Sequence, residues 1–569
     1  MQWMQISLLV GSLVLMYHNS LLAHMRNISH PLHMNSDALQ QIWPLLRYYK
    51  PGLFNEDYIA DYYLSCFLPS GYRLFYRVGA IFWDPRVLSE VLSYLLLGVL
   101  LAALAMSAYK LGGKSAAWAT LAFALSTGQF MGGVTGGLPR SFGYPLMACA
   151  AAALVYGRPV LLAALVVLGA GFYPVVSVMT GLALAAYVLL VSRDDRGRAE
   201  KWTLRKRLLV VVATALLASI VVLPHALGSR RYGSMIGPAH TDTFPEAGQG
   251  GRYSDRHLFG GHEFLTASWG MLDDTIKGAG DPWSDVLRRL IPLDSRALVL
   301  WALGITLVGS AVLTWHDPGA RRLLILLAAA ATGHWAASIA APFLYLPARY
   351  VTYSIPILFV ILLPASITGL AKLLGGFGQN SWARPTIVLV VCGIMLMARG
   401  GRGPETEGIY FYSNRYWPVL QELKKLPRDA MIAGLPGDIM NLVPYLSERR
   451  ALVTYKTHQA FHSKYVLEMR RRVIAVFDAY YATDEKPLIR LRDDFGVTHL
   501  VVDRGHFAGI RLKYFEPFSG WFAHLQAQVK PEELEIFRQI DSAAVYNAFY
   551  YVVLDLRRLR QTSGRSFQD

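Results

Sequence analysis

Apolar residues in this chain fall in long blocks separated by short polar stretches, longer than the core of a soluble helix requires. At roughly 17–25 residues per crossing, with short or tilted spans allowed, the pattern predicts about eleven membrane helices. They lie at 6–23, 90–108, 116–131, 144–156, 160–172, 175–191, 208–224, 297–314, 323–341, 354–370 and 385–398. The blocks at 144–156 and 160–172 are short enough for a re-entrant pair. Past residue 400 the pattern changes. Gly401-Arg-Gly-Pro-Glu reads as a linker, followed by strand-like runs at 430–433, 451–455, 499–503 and 545–556 and helical periodicity at 466–482 and 487–495. That alternation predicts a soluble α/β domain of about 150 residues, an ordinary domain size. The expected fold class is a polytopic α-helical membrane protein over residues 1–399, with long outer loops at 24–89 and 225–296, and a C-terminal extracytoplasmic α/β domain over 400–569.

Composition supports the membrane reading: 54% of the 569 residues are hydrophobic and only 17% charged, against about a quarter charged in soluble domains. The formal net charge of +16 marks basic loops rather than a nucleic-acid surface, because the cations alternate with the spans. Arg193, Arg196, Arg198, Lys201, Arg205, Lys206 and Arg207 fill one loop, and Lys110 with Lys114, Arg158, Arg321 with Arg322, and Lys372 with Arg384 fill loops of the same parity. Those loops are assigned to the cytoplasm. The first loop, 132–143, 225–296, 343–352 and everything after Arg399 then face outside, as expected for a multi-pass protein of a bacterial inner membrane with a cytoplasmic N-terminus. The first apolar run lacks a basic leader and reads as a retained signal anchor. Cys66, Cys149 and Cys392 are scattered and imply neither a disulfide framework nor a CxxC metal site.

Candidate chemistry gathers on the outer side. Asp37, opening Asp37-Ala-Leu-Gln-Gln-Ile-Trp-Pro in the first loop, reads equally as a general base or metal ligand and as a helix N-cap. Glu56 and Asp57 supply a second carboxylate or simply the acidic first turn of a helix. The glycine-rich 132–143 loop carries Arg140, an anion clamp. Arg349, with Tyr350 beside it at an outer span mouth, suits a phosphate or a lipid headgroup. His458 and His462, at i, i+4 spacing in the soluble domain, are candidates to reach that face. His24, His30 and His33 fit no standard zinc spacing, and His334 lies within a span. The 225–296 loop is long enough for a substrate lid.

An acid early in the first outer loop (Asp37), a many-span core, a late outer arginine (Arg349) and a C-terminal extracytoplasmic α/β domain together resemble the GT-C glycosyltransferases. That group includes oligosaccharyltransferase catalytic subunits, protein O-mannosyltransferases and aminoarabinose transferase. The runs Leu426-Pro-Arg-Asp-Ala-Met-Ile-Ala-Gly and Phe495-Gly-Val-Thr-His-Leu-Val-Val-Asp are similar to bacterial glycosyltransferase-like membrane proteins. The resemblance implies an inverting transfer of a sugar from a polyprenyl-phosphate or -pyrophosphate donor to a glycan, lipid or protein acceptor. Asp37 would be the base and Arg349 the partner of the lipid phosphate. It leaves open a divalent cation, Mg²⁺ or Mn²⁺, on Asp37 and Asp57. The chain departs from the oligosaccharyltransferases in having no carboxylate in 132–143 and no WWDYG-like sequence. The competing readings are a transporter or flippase for a lipid-linked or anionic substrate, and a non-catalytic glycan-assembly protein.

Overall fold

The computed structural model describes residues 18, 20–126, 128–190, 202–252, 304, 306, 308–313, 317–340, 343–344, 346–373, 405–509, 512–528 and 530–559. Among them, four helical stretches are long and apolar enough to cross a membrane: Pro85–Leu125, Leu204–Tyr232, Pro318–Ala340 and Ala348–Gly369. Pro159–Phe172 and Pro174–Leu189 are apolar but shorter. The expected eleven spans are therefore not established. The expected span at 385–398, most of 6–23 and 297–314, and the 399/400 domain boundary lie outside the described residues, as does most of the 225–296 loop.

The first long stretch is two helices rather than one. Gly113, at φ +80°, ψ −166°, breaks it where two separate spans are expected from the sequence; that left-handed backbone is cheap only for glycine. Its inner face packs on Ile355–Leu373 and Gly143–Val155, while Pro159–Phe172 folds back on Pro174–Leu190. Leu204–Ser229 lies against that pair. Leu216, Leu217, Ile220 and Leu223 on this helix are all more than half exposed, an apolar surface that only lipid or another apolar partner would cover.

The C-terminal part builds a five-stranded sheet in the order β4-β3-β5-β7-β6. Its strands are β3 (Met431–Gly434), β4 (Arg450–Ala451), β5 (His499–Asp503), β6 (Ala544–Asn547) and β7 (Tyr551–Asp555). β3 runs parallel to both β4 and β5, and β7 runs antiparallel to β5 and β6. The single apolar run expected at 545–556 is thus a β6–β7 hairpin. Helices Ser463–Tyr480 and Lys486–Phe495 flank the sheet with their apolar faces buried.

This sheet domain is fastened to the first loop in two ways. β1 (His33–Met34) pairs antiparallel with β2 (Tyr410–Phe411), and the Tyr412 amide donates to Leu32 O at 3.0 Å. Glu448, held in left-handed backbone and only 7% exposed in its side chain, accepts from Lys50 Nζ at 2.7 and 2.9 Å and from Arg86 Nη2 at 3.0 Å.

Candidate functional site

Asn35 organises the approach to Asp37. Its Oδ1 accepts from the Asp37 amide at 3.0 Å and from Arg140 Nη2 at 3.3 Å. Its Nδ2 donates to Thr135 O and Gly408 O, so one side chain ties the first loop, the glycine-rich loop and the chain entering the sheet domain. Asp37 then occupies the N-cap position of helix Ala38–Gln41, yet its carboxylate makes no cap hydrogen bond. It faces Arg140 Nε at 3.3 Å and Lys456 Nζ at 3.5 Å instead, and Gln40 Nε2 donates to it at 3.3 Å. The capping reading of this side chain is corrected: its oxygens are turned to cations.

Arg140 is aimed by the glycines before it. Gly137 sits at φ +56°, and a Cβ there would lie 2.6 Å from Ser89 O and 2.8 Å from the Tyr76 hydroxyl. Its carbonyl accepts from Tyr72 and Tyr76, each at 2.9 Å. Gly137 thus allows close approach to the protein's own chain, in the turn that leads into Pro139–Phe142. Lys456 comes from the sheet domain. Its amide donates to Asn441 Oδ1 at 2.9 Å and its ammonium to Ser36 Oγ at 3.2 Å.

The electrostatics follow. Burial opposes ionisation of Asp37, but Arg140, Lys456 and Arg349 outweigh it and hold the carboxyl below its ordinary range. Burial pushes the Lys456 ammonium down, with Asp37 opposing that shift. Asp37, Arg140, Arg349, Arg252, His225 and His462 line one cavity of about 380 Å³, walled also by Tyr62, Tyr173, Val222, Phe343 and Phe461. One carboxylate and three arginines, set among glutamines, histidines and a largely aromatic and aliphatic remainder, make a site for an anionic group with an apolar neighbour.

The remaining expected residues lie elsewhere. Asp57 is buried and caps helix Tyr58–Tyr62, accepting from the Ala60 amide at 2.8 Å; burial raises its pKa despite that bond. Glu56 is exposed in the turn before it, at φ +56°. Neither lines the cavity, because the acidic pair is used to start a helix. Tyr350 is buried and donates to Leu344 O at 3.0 Å, so Arg349 faces the cavity while its neighbour packs inward. His458 is buried against Tyr514, 3.0 Å from its hydroxyl, and burial lowers it to about 3. His462 does line the cavity, with Nδ1 3.0 Å from the Tyr62 hydroxyl, and burial lowers it to about 4. It is therefore neutral at physiological pH. His24 is held by Tyr94 and Glu407 O, His30 stacks on His33, and His334 meets Pro347 O.

A divalent cation does not fit these donors. Asp37 is engaged by cations, Asp57 is turned into its helix, and among the described residues no three His, Cys, Asp or Glu side chains are placed to hold a metal. Lys456 and Arg252 were not among the candidates expected from the sequence. Lys456 lies two residues before the expected His458, but its pairing with Asp37 spans more than 400 residues and has no local signature.

No protein-family model matches the sequence, and no curated protein matches it. Solved structures do match in shape. ArnT from Cupriavidus metallidurans bound to undecaprenyl phosphate superposes with a TM-score of 0.53 at 15% identity, covering 96% of this chain and 98% of that one. Its apo form gives 0.52 at 14% identity, again over 96% and 98%. The apo oligosaccharyltransferase of Archaeoglobus fulgidus gives 0.48 at 12% identity, over 97% and 75%. From its long apolar helices to its C-terminal sheet, the chain shares the fold of ArnT, that of the GT-C glycosyltransferases.

Proposed function

We propose that this protein is a membrane glycosyltransferase that moves a sugar from a polyprenyl-phosphate or -pyrophosphate donor to an extracytoplasmic acceptor, with Asp37 as the base. The observation that carries the reading is the placement of Asp37 between Arg140 and Lys456 in a cavity that Arg349 also lines. The ArnT structure bound to undecaprenyl phosphate makes a lipid phosphate the natural anion to test.

In this reading the acceptor hydroxyl attacks the anomeric carbon as the carbon–oxygen bond to phosphate breaks, giving inversion. The departing phosphate takes the bond's electron pair and is met by the Arg140 and Arg349 guanidinium groups, which bind phosphate oxygens in a fork. The hydroxyl proton passes to Asp37. An ionised, cation-held carboxylate is a weak base in the empty cavity, but a bound phosphate competes for the same cations and so raises its proton affinity. The donor thus switches on the base beside it. The positive-inside pattern supports an outer-face location for this chemistry.

The test is transfer by purified protein in nanodiscs with polyprenyl-phosphate sugars. Asp37→Asn is expected to lower turnover by about 10²–10⁴-fold, the usual contribution of a general base, with undecaprenyl-phosphate binding retained. Arg349→Ala is expected to weaken that binding. Full turnover in Asp37→Asn overturns the reading.

A further inference from the structure

A second cavity, of about 360 Å³, lies in the sheet domain and takes no part in the chemistry above. Its position follows from the topology. The chain leaves β3 for β4 on one side and later returns to β5 on the other, so the β3–β5 boundary is the point where the strand order reverses. Parallel sheets open a crevice there, beyond the carboxyl ends of the strands. Here that crevice is walled by Gly437 and Asp438 after β3, by Asp503 at the end of β5 and by His506 just beyond it.

The side chains decide what it takes. Asp438 and Asp503 are matched in number by Arg415 and Lys513, and Asn441, Tyr416 and Tyr455 line the same cavity. The polar groups already form a chain: Arg415 Nη2 donates to the Tyr416 hydroxyl at 3.1 Å, which donates to Asp438 Oδ2 at 3.3 Å. Equal numbers of carboxylates and cations give no net attraction for a phosphate, in contrast to the arginine-lined first cavity. Carboxylate and guanidinium groups pair well with adjacent hydroxyls, and tyrosine faces with the C–H faces of a sugar ring.

The two cavities share a wall. Tyr455 lines the second, while the next residue, Lys456, reaches Asp37 at 3.5 Å in the first. Arg252 of the first cavity stands 4.5 Å over the Tyr455 ring, and Asn441 of the second accepts from the Lys456 amide.

We propose that the β3–β5 cavity is a binding site for an uncharged saccharide chain, set next to the Asp37 site. Its use in holding the acceptor rests on the transferase reading; the binding does not. The experiment is calorimetry and saturation-transfer NMR on the full chain in nanodiscs, with neutral linear tetrasaccharides of glucose, galactose, mannose and N-acetylglucosamine. At least one is expected to bind with a Kd of about 0.1–5 mM, typical of a few hydrogen bonds and one ring face. Asp438→Asn, which keeps shape, and Leu512→Trp, which fills the cavity, are each expected to weaken binding about tenfold or more through lost charge-assisted bonds or lost space, with an unchanged melting profile. Asp37→Asn is expected to bind the saccharide as wild type does, so the two readings fail separately. The proposal is overturned if no tetrasaccharide binds, if both cavity variants bind normally, or if ADP or an unglycosylated peptide binds there in its place.

Discussion

Removing the charge of Glu448 while keeping its shape tests how the sheet domain is held on the membrane part. In wild type, one carboxylate, 7% exposed in its side chain, receives Lys50 at 2.7 and 2.9 Å and Arg86 at 3.0 Å. Breaking a buried ion pair from one side costs about 3–5 kcal/mol. Two features lower that figure here. Lys50 is 35% exposed and recovers hydration, and Arg86 keeps its fork on Asp84 at 2.6 and 3.0 Å. Glu448→Gln is therefore expected to weaken docking by about 2 kcal/mol, within the range for hydrogen bonds to a charged group. The assay is amide exchange at Tyr412, whose bond to Leu32 O joins the two parts, with β5 amides as an internal control. About 2 kcal/mol corresponds to roughly thirtyfold faster exchange at Tyr412 with β5 unchanged. Unchanged exchange at Tyr412 refutes the reasoning. The same bond gives a pH signature. Burial opposes ionisation of Glu448, but Lys50 and Arg86 hold it below its usual range. Docking stability from this group is thus complete above the ordinary glutamate value and is lost as pH falls through the depressed one.

Replacing Lys456 by Met removes one of the cations that hold down Asp37; the acid limb of the pH profile of kcat/KM is expected to move to higher pH, and an unmoved limb counts against Asp37 as the base. Asp57→Ala is expected to cost about 1 kcal/mol through the lost cap, read as an earlier melting transition, while transfer per folded molecule stays at the wild-type level. Transfer is expected to survive EDTA within about twofold, because the donor set around Asp37 does not suit a divalent cation; loss of activity restored by Mg²⁺ or Mn²⁺ contradicts that.

What could be read from the sequence was what membrane physics writes locally. The break between the first long helices, the strand at His499–Asp503 and the helix ending at Phe495 all follow from apolar periodicity and a glycine or cap. Asp37 in the first outer loop, Arg140 in a glycine-rich outer loop and Arg349 at an outer span mouth are legible as charges beside apolar blocks, and they do share a cavity. Glu56 and Asp57 carried the same charge signal but are spent on a turn and a helix start, a distinction set by side-chain direction. Tyr350 was named through its neighbour and faces the other way, as adjacent helical residues do. Lys456 and Arg252 were invisible because their part in the site depends on how the sheet domain docks, which periodicity does not encode.

The Leu204–Ser229 helix has its own consequence for traffic. Val222 and His225 on it line the cavity, while Leu216, Ile220 and Leu223 are exposed on its outer surface, and Pro224 sits between the two lining residues, where a helix hydrogen bond is missing. Among the described residues, the wall between this cavity and the apolar outer surface is thus one helix thick at its weakest turn. A molecule with a charged head and a long hydrocarbon tail could deliver the head sideways there, leaving its tail in the bilayer throughout.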